Sequence, residues 1–449
     1  MLIARAIGPE AAGTGAIAIA AFLLADLAGA ALFTDAVVQR RGLSRLEARS
    51  AVTAQVLAGL AGAAVLAALA PVIARQVGVP EVQPLILTLA GLLPFSAFSG
   101  AVSGLVLREG RYLLLALRAL IGLPLALAAG LAVAQAGHGP WAMVAHQMTA
   151  TLLVFLLLLT LARQRLRPRL SLRALGVLWP VAGPQVLSVI VQAGRYRLFV
   201  LALGTVVAEA VVAVSNVAFR LVDAVLAVVW TATPRIALPR FSALQHDRKA
   251  LAEAYGDVAE LQALIGMPIA TGVALIAPDL VQALLGPVWA PAAEAARVVG
   301  LVAVASFAYG DAGSLFVALG KARRNLLVAG IAMAMPLLAL LLLRPESPIG
   351  VAWCWAASTL VIAPFVTFLA LREIRRSPLW LLGRIAPALA ATGVMAVAVL
   401  LLREELALPP LPRLAAAALA GALVFALVAW LAIGRRVPRA LRPLPAAAE

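Results

Sequence analysis

LIARAIGPEAAGTGAIAIAAFLLADLAGAALFTDAVVQRRGLS (residues 2–44) sets how the rest of the chain is read. Gly8-Pro9, followed by Gly13 and Gly15, reads as the break between one helix and the next, because Pro lacks a backbone N–H and Gly weakens a helix. Beyond the break, residues 11–38 are almost wholly apolar. About 20 such residues span the hydrocarbon core of a bilayer as a helix. The run then stops on Gln39-Arg40-Arg41, a basic loop. Only seven residues precede Gly8-Pro9, so a connecting loop stands where a chain usually starts.

The same alternation of apolar run and basic break continues to the end. Hydrophobic residues make up 64% of the 449, charged residues 12%, far from the balance of a soluble domain. The mean hydropathy is +1.03. The runs are continuous rather than alternating, which excludes barrel strands and predicts helices. The expected fold class is therefore all-α, a polytopic transmembrane bundle of about 13 helices, with crossings from residues 11–38 to residues 413–433. A net charge of +16 does not indicate a nucleic-acid partner, because the basic residues sit in short clusters between apolar spans.

Charge bias orients the chain. Roughly 25 of the 36 basic residues fall on one side, in clusters near 40–49, 108–111, 163–173, 235–249, 321–324, 372–376 and 435–442, and that side is cytoplasmic. About five, Arg5, Arg75, Arg344, Arg403 and Arg413, fall on the other. All eight Trp lie near span ends, as an aromatic belt requires. The C-terminus is then inside and the first residues outside. An outer loop at the very start is what remains if an inside-to-outside helix precedes Met1 in a longer protein; the alternative is thirteen helices with an outside N-terminus.

The long cytoplasmic break RQRLRPRLSLR (163–173) separates a front group of spans from a rear group. Three parts are expected: an N-terminal lobe over 1–165 of about five spans, a C-terminal lobe over 166–371 of about six, and two further spans with a cytoplasmic tail over 372–449. A second break, PRFSALQHDRKALAEAYGD (239–257), mixes charges with apolar residues and reads as an amphipathic helix on the inner surface or as a solvated connection.

The opening stretch resembles the polysaccharide-biosynthesis and O-antigen flippases of the multidrug, oligosaccharidyl-lipid and polysaccharide exporter superfamily. AFRLVDAVLAVV (218–229), LPRFSALQHDRKALAEAY (238–255), the block around LLGPVWAPAA (284–293) and SLFVALGKARRN (314–325) extend the likeness. The most specific is LLGPVWAPAA, with Gly, Trp and two Pro in order. The resemblance implies a fourteen-helix pattern with the first helix outside this sequence, and two lobes around a central cavity. It also implies a flippase that carries an undecaprenyl-diphosphate-linked oligosaccharide across the bacterial cytoplasmic membrane by alternating access, with a polysaccharide polymerase and a chain-length regulator as partners. Where the family often carries an acid near GRYRLFVLALG (194–204), this chain has Arg195, Tyr196 and Arg197. That departure leaves the coupling ion open.

Charges within spans cost free energy unless they face water or a partner. Arg118, Arg195, Arg197 and Arg220 are the candidate substrate-binding residues, since guanidinium forks grip phosphate oxygens and stay charged at any working pH. Asp26, Asp35, Asp223 and Asp311 are candidate coupling or cavity acids. The structural alternative is that Arg195, Arg197 and Arg297 reach the interface on their long stems, and that Arg220 pairs with Asp223 one turn away. Pro184, Pro268, Pro336, Pro364 and Pro387 are expected to kink or hinge their helices. The three His show no metal-ligand spacing, and the lone Cys354 lies in a span, so neither a metal nor a cofactor is expected. No nucleotide-binding loop or nucleophile elbow occurs. Transport without catalysis is the expected class, powered by an ion gradient, the membrane potential or consumption of product. A cation-coupled drug antiporter predicts cavity acids instead, and a glycan-assembly enzyme predicts a large outer loop. A scaffold that transports nothing remains compatible with the sequence.

Overall fold

The apolar runs become sixteen α-helices, with no strand among the described residues. A computed structural model describes residues 1–161, 167–321, 323–405, 408–434 and 438–441. Arg163 and Arg165 of the basic break, and Arg435, Arg436 and Arg442 of the tail, lie outside the described residues. Among the described residues, twelve helices are long and apolar enough to cross a membrane, and thirteen spans result when one bent pair counts as a span. The chain is a multi-pass membrane protein, with the all-helical architecture its composition predicts.

Two compact units divide the chain, Met1–Ala213 and Val214–Glu449. The first contains α1 (Leu2–Ala31), α2 (Thr34–Gln39), α3 (Arg45–Val77), α4 (Val82–Ala90), α5 (Leu93–Arg108), α6 (Tyr112–Gln135), α7 (Trp141–Leu161) and α8 (Leu172–Leu203). The basic break at 163–173 does not end this unit, because α8 beyond it packs back on α1, α2 and α3. The division falls in the first turns of α9 (Glu209–Ala243) instead.

The expected break at Gly8-Pro9 is present inside α1: Gly8 has φ 82° and ψ 169°, which a side chain resists and glycine accepts. Gly13 and Gly15 are helical. A second break, at Leu32-Phe33 between α1 and α2, leaves backbone groups that no water reaches inside a bilayer. Gln55 of α3, wholly buried, supplies the partners. The Phe33 N–H donates to Gln55 Oε1 at 3.0 Å, and Gln55 Nε2 donates to the Ala30 carbonyl at 2.7 Å. The GxxxG pair Gly100 and Gly104 lets α5 lie against this break; a Cβ at Gly100 would stand 2.0 Å from the Ala30 oxygen. Arg108 closes the other end by donating to the Val37 and Arg40 carbonyls at 3.1 and 2.5 Å. Gln55→Leu strands the Phe33 N–H at about 1–3 kcal/mol, while the Ala30 carbonyl keeps the Thr34 hydroxyl, which donates to it at 3.1 Å. Thermal unfolding in detergent should show a clearly lowered midpoint, and an unchanged midpoint would remove this role from Gln55.

The second unit holds most of α9, then α10 (Arg248–Leu285), α11 (Pro291–Ala303), α12 (Ala312–Ala318), α13 (Arg323–Leu343), α14 (Pro348–Ile374), α15 (Pro378–Glu405) and α16 (Pro410–Ala432). Residues 239–257 are not a surface amphipathic helix: they end α9 and begin α10. Asp247 caps α10 by accepting from the Lys249 and Ala250 N–H groups at 2.9 and 3.0 Å, and Leu251, Ala252, Ala254 and Tyr255 are buried. The charges there mark a helix start, and the apolar residues between them face inward.

Around α10 pack α11, α15 and α16. Ion pairs fix α15 to it at both ends and α16 at one. Asp279, with no exposed surface, meets Arg403 of α15 at 2.9 Å and Arg413 of α16 at 2.6 Å. At the other end Glu253 pairs with Arg376 at 2.8 Å and with Arg384, while Asp257 pairs with Arg384 at 3.1 Å. The Trp380 ring lies 5.1 Å from the Arg376 guanidinium and 5.4 Å from that of Arg384, within cation–π range. Arg403 and Arg413 thus serve a buried acid rather than a loop. Through Pro184, Pro268, Pro336, Pro364 and Pro387 the helices continue unbroken.

Candidate functional site

Two helices of the first unit contribute polar side chains at helical spacing, and a third contributes one arginine. In α5, Ser96, Ser99 and Ser103 recur at intervals of three and four and so share a face. In α7, Gln147 and Thr151 do the same, joined by a hydrogen bond of 3.2 Å from Gln147 Nε2 to the Thr151 hydroxyl. In α6, Arg118 lies six residues past the helix start, about 9 Å along the axis. Ser96, Ser99, Arg118, Gln147 and Thr151 line a cavity of about 410 Å³, and the small Ala30, Gly100 and Gly122 leave it open.

Hydrogen bonds order this wall. Arg118 Nη1 donates to Ser103 Oγ at 2.6 Å, the Ser103 hydroxyl donates to the Ser99 carbonyl at 2.5 Å, and the Ser99 hydroxyl donates to the Phe95 carbonyl at 2.7 Å. One nitrogen of the fork is thereby held, and the rest of the guanidinium has no acid within ion-pair distance among the described residues. It is also the one charged group among the residues lining the cavity. A cation in such a position needs water or an anion. The arrangement therefore offers an oriented guanidinium, an amide and hydroxyls to a negatively charged, hydroxyl-bearing group.

Asp26 of α1 stands behind this wall. Its Oδ1 is buried without a hydrogen bond, and Ser96 and Arg197 are its polar neighbours. Arg197 also donates to the Leu23 carbonyl at 3.0 Å, which ties α8 to α1. Ser96 thus links the Asp26–Arg197 pair to the cavity that Arg118 also lines. Arg195 is half-buried on α8, and Asp35 is half-buried in the first turn of α2. In the second unit, Arg220 is exposed on α9 and forms no ion pair among the described residues, while Asp223 is half-buried on the same helix. Asp311 caps α12, accepting from Ser314 N–H at 3.1 Å, beside a separate cavity of that unit. Arg297 takes the surface alternative and pairs with Glu294 at 3.1 Å.

Sequence reasoning passed over the serines, Gln147 and Thr151 because it searched for charge. Their signal was present as the spacing SAFSGAVS (96–103) and as the four-residue step from Gln147 to Thr151. Among the described residues no three His, Cys, Asp or Glu side chains converge to hold a metal ion.

A family model described as polysaccharide biosynthesis protein matches residues 2–294. No curated protein sequence matches the chain. Among solved structures, the lipid II flippase MurJ in an inward closed conformation superposes with a TM-score of 0.77 at 12% identity, covering 96% of this chain and 95% of that one. An inward-facing multidrug resistance MATE family transporter of the MOP superfamily superposes with a TM-score of 0.67 at 16% identity, covering 83% and 92%. At such identities the likeness is one of fold.

Proposed function

The chain belongs to the polysaccharide biosynthesis protein family, and from that membership we propose that it is a flippase for a lipid-linked oligosaccharide. Its fold, shared with a lipid II flippase and a multidrug transporter, supports transport as the class of activity. The substrate in this reading is an oligosaccharide on undecaprenyl diphosphate, taken from the cytoplasmic leaflet to the outer leaflet. The observation that carries it is Arg118: a guanidinium in a cavity it shares with Ser96, Ser99, Gln147 and Thr151, fixed by Ser103 and with no acid within ion-pair distance among the described residues. A diphosphate supplies the missing counter-charge through paired, charge-assisted hydrogen bonds, and Gln147 and Thr151 offer donors and acceptors to the adjoining oxygens. An arginine as the cavity's charged wall favours an anionic substrate over the cationic drugs of an antiporter. Asp26 and Arg197 position the Ser96 side of the wall.

Translocation in proteoliposomes tests the proposal. A fluorescent undecaprenyl-diphosphate sugar, read by an impermeant quencher, should equilibrate between leaflets at least tenfold faster than in protein-free vesicles. The corresponding undecaprenyl glycoside lacking the diphosphate should not. Equal rates for the two lipids, or no acceleration, would contradict it.

A further inference from the structure

The second unit contains a cavity of about 240 Å³, between α9, α10, the 306–316 segment and the start of α13, that the anion reading leaves unused. We infer that it holds a neutral, hydroxyl-rich ring, namely one sugar residue. Gln262 of α10 carries the inference. It is 6% exposed, it lines the cavity, and its Oε1 is buried with no hydrogen-bond partner. A buried amide oxygen in that state takes a hydrogen bond from a bound water or a ligand atom.

The charged group of the wall, Asp311, only accepts. Both Asp311 oxygens take bonds from Ser314, its N–H at 3.1 Å and its hydroxyl at 2.5 Å, and each keeps a free lone pair. One Asn325 N–H donates to the Gly313 carbonyl at 3.2 Å, which leaves its other N–H and Oδ1, and the Thr233 hydroxyl donates to the Val229 carbonyl at 2.9 Å. Gln262 Oε1, the Asp311 carboxylate and Asn325 Oδ1 therefore call for donors from the ligand. No basic residue lines the cavity, which disfavours a phosphate or an acidic sugar.

Two ligand classes bring donors or positive charge, hydroxyls and cations. Size favours hydroxyls, since the space corresponds to roughly eight waters at ~30 Å³ each, far beyond one dehydrated ion. The amide favours them as well: a hydroxyl both donates and accepts and so satisfies Gln262 in either orientation of its side chain, whereas a cation satisfies only one. The aromatic wall favours a ring. Trp230, exposed and stacked on Phe307 at 6.0 Å and so held in place, offers an apolar face to the C–H face of a pyranose. The naming of that ring as a sugar rests on the transport reading above, while the donor requirement stands without it.

Saturation-transfer NMR on the full chain in nanodiscs, with methyl β-glucopyranoside and N-acetylglucosamine as probes, tests the site. Irradiation of protein aromatic protons in the unaltered chain should transfer to the ring C–H protons of at least one probe more strongly than methyl irradiation does. Gln262→Leu and Asn325→Ala should each reduce the transfer at least fivefold, while Arg118→Gln should leave it unchanged. No transfer from either probe, transfer undiminished in both variants, or Trp fluorescence that saturates with Na⁺ or tetramethylammonium in place of sugar would overturn the inference. The aromatic-selective arm needs no variant to fold. Loss of sugar binding with diphosphate-lipid transport intact sinks this site alone, and loss of transport with sugar binding intact sinks the flippase reading alone.

Discussion

Arg118→Gln is expected to lower the initial rate of diphosphate-lipid translocation in proteoliposomes by about 10- to 100-fold, with the protein still folded. A hydrogen bond to a charged partner contributes about 1.5–3 kcal/mol, and each ~1.4 kcal/mol is a factor of ten. Glutamine keeps a donor for Ser103 but removes the charge that faces the cavity. Arg118→Lys should recover part of the rate, because it restores the charge without the planar fork. Arg297→Gln serves as the control: that side chain is in an exposed pair with Glu294, and the rate should stay within about twofold. Equal rates in Arg118→Gln and the unaltered chain would show that the cavity is not on the transport path.

Asp279→Ala is expected to be the most destabilising single change in the second unit. It removes a fully buried carboxylate and leaves Arg403 and Arg413 facing each other without a counter-charge. Breaking a buried ion pair from one side costs about 3–5 kcal/mol, while replacing every member by apolar groups is often neutral. The thermal midpoint in detergent should therefore fall for Asp279→Ala and recover in the triple variant Asp279→Leu, Arg403→Met, Arg413→Met. A midpoint unchanged in the single variant would mean that packing alone holds α15 and α16 on α10.

Much of this architecture could be read from composition and charge spacing. The thirteen apolar runs correspond to the twelve long helices and one bent pair, because bilayer thickness imposes a length that hydropathy records directly. Gly8 was legible because the Gly-Pro pair has one common backbone meaning. Residues 239–257 were misread since charge alternating with apolar residues looks the same at a buried helix start as on a membrane surface. Only tertiary packing tells the two apart, and Leu251 and Tyr255 face inward. Arg118 and Asp26 were found as charges at membrane depth. Gln55, Asp279 and the serines of α5 were not, since their roles depend on partners 22 or more residues away, or on a cavity that no local pattern describes.

A cryo-EM structure of the full chain in nanodiscs with undecaprenyl diphosphate bound is the most direct test of the anion-receiving cavity. Density for the diphosphate should lie within about 3 Å of the Arg118 guanidinium, with Gln147 or Thr151 as a second contact. A diphosphate resolved elsewhere on the protein, with the Arg118 cavity empty, would contradict the account.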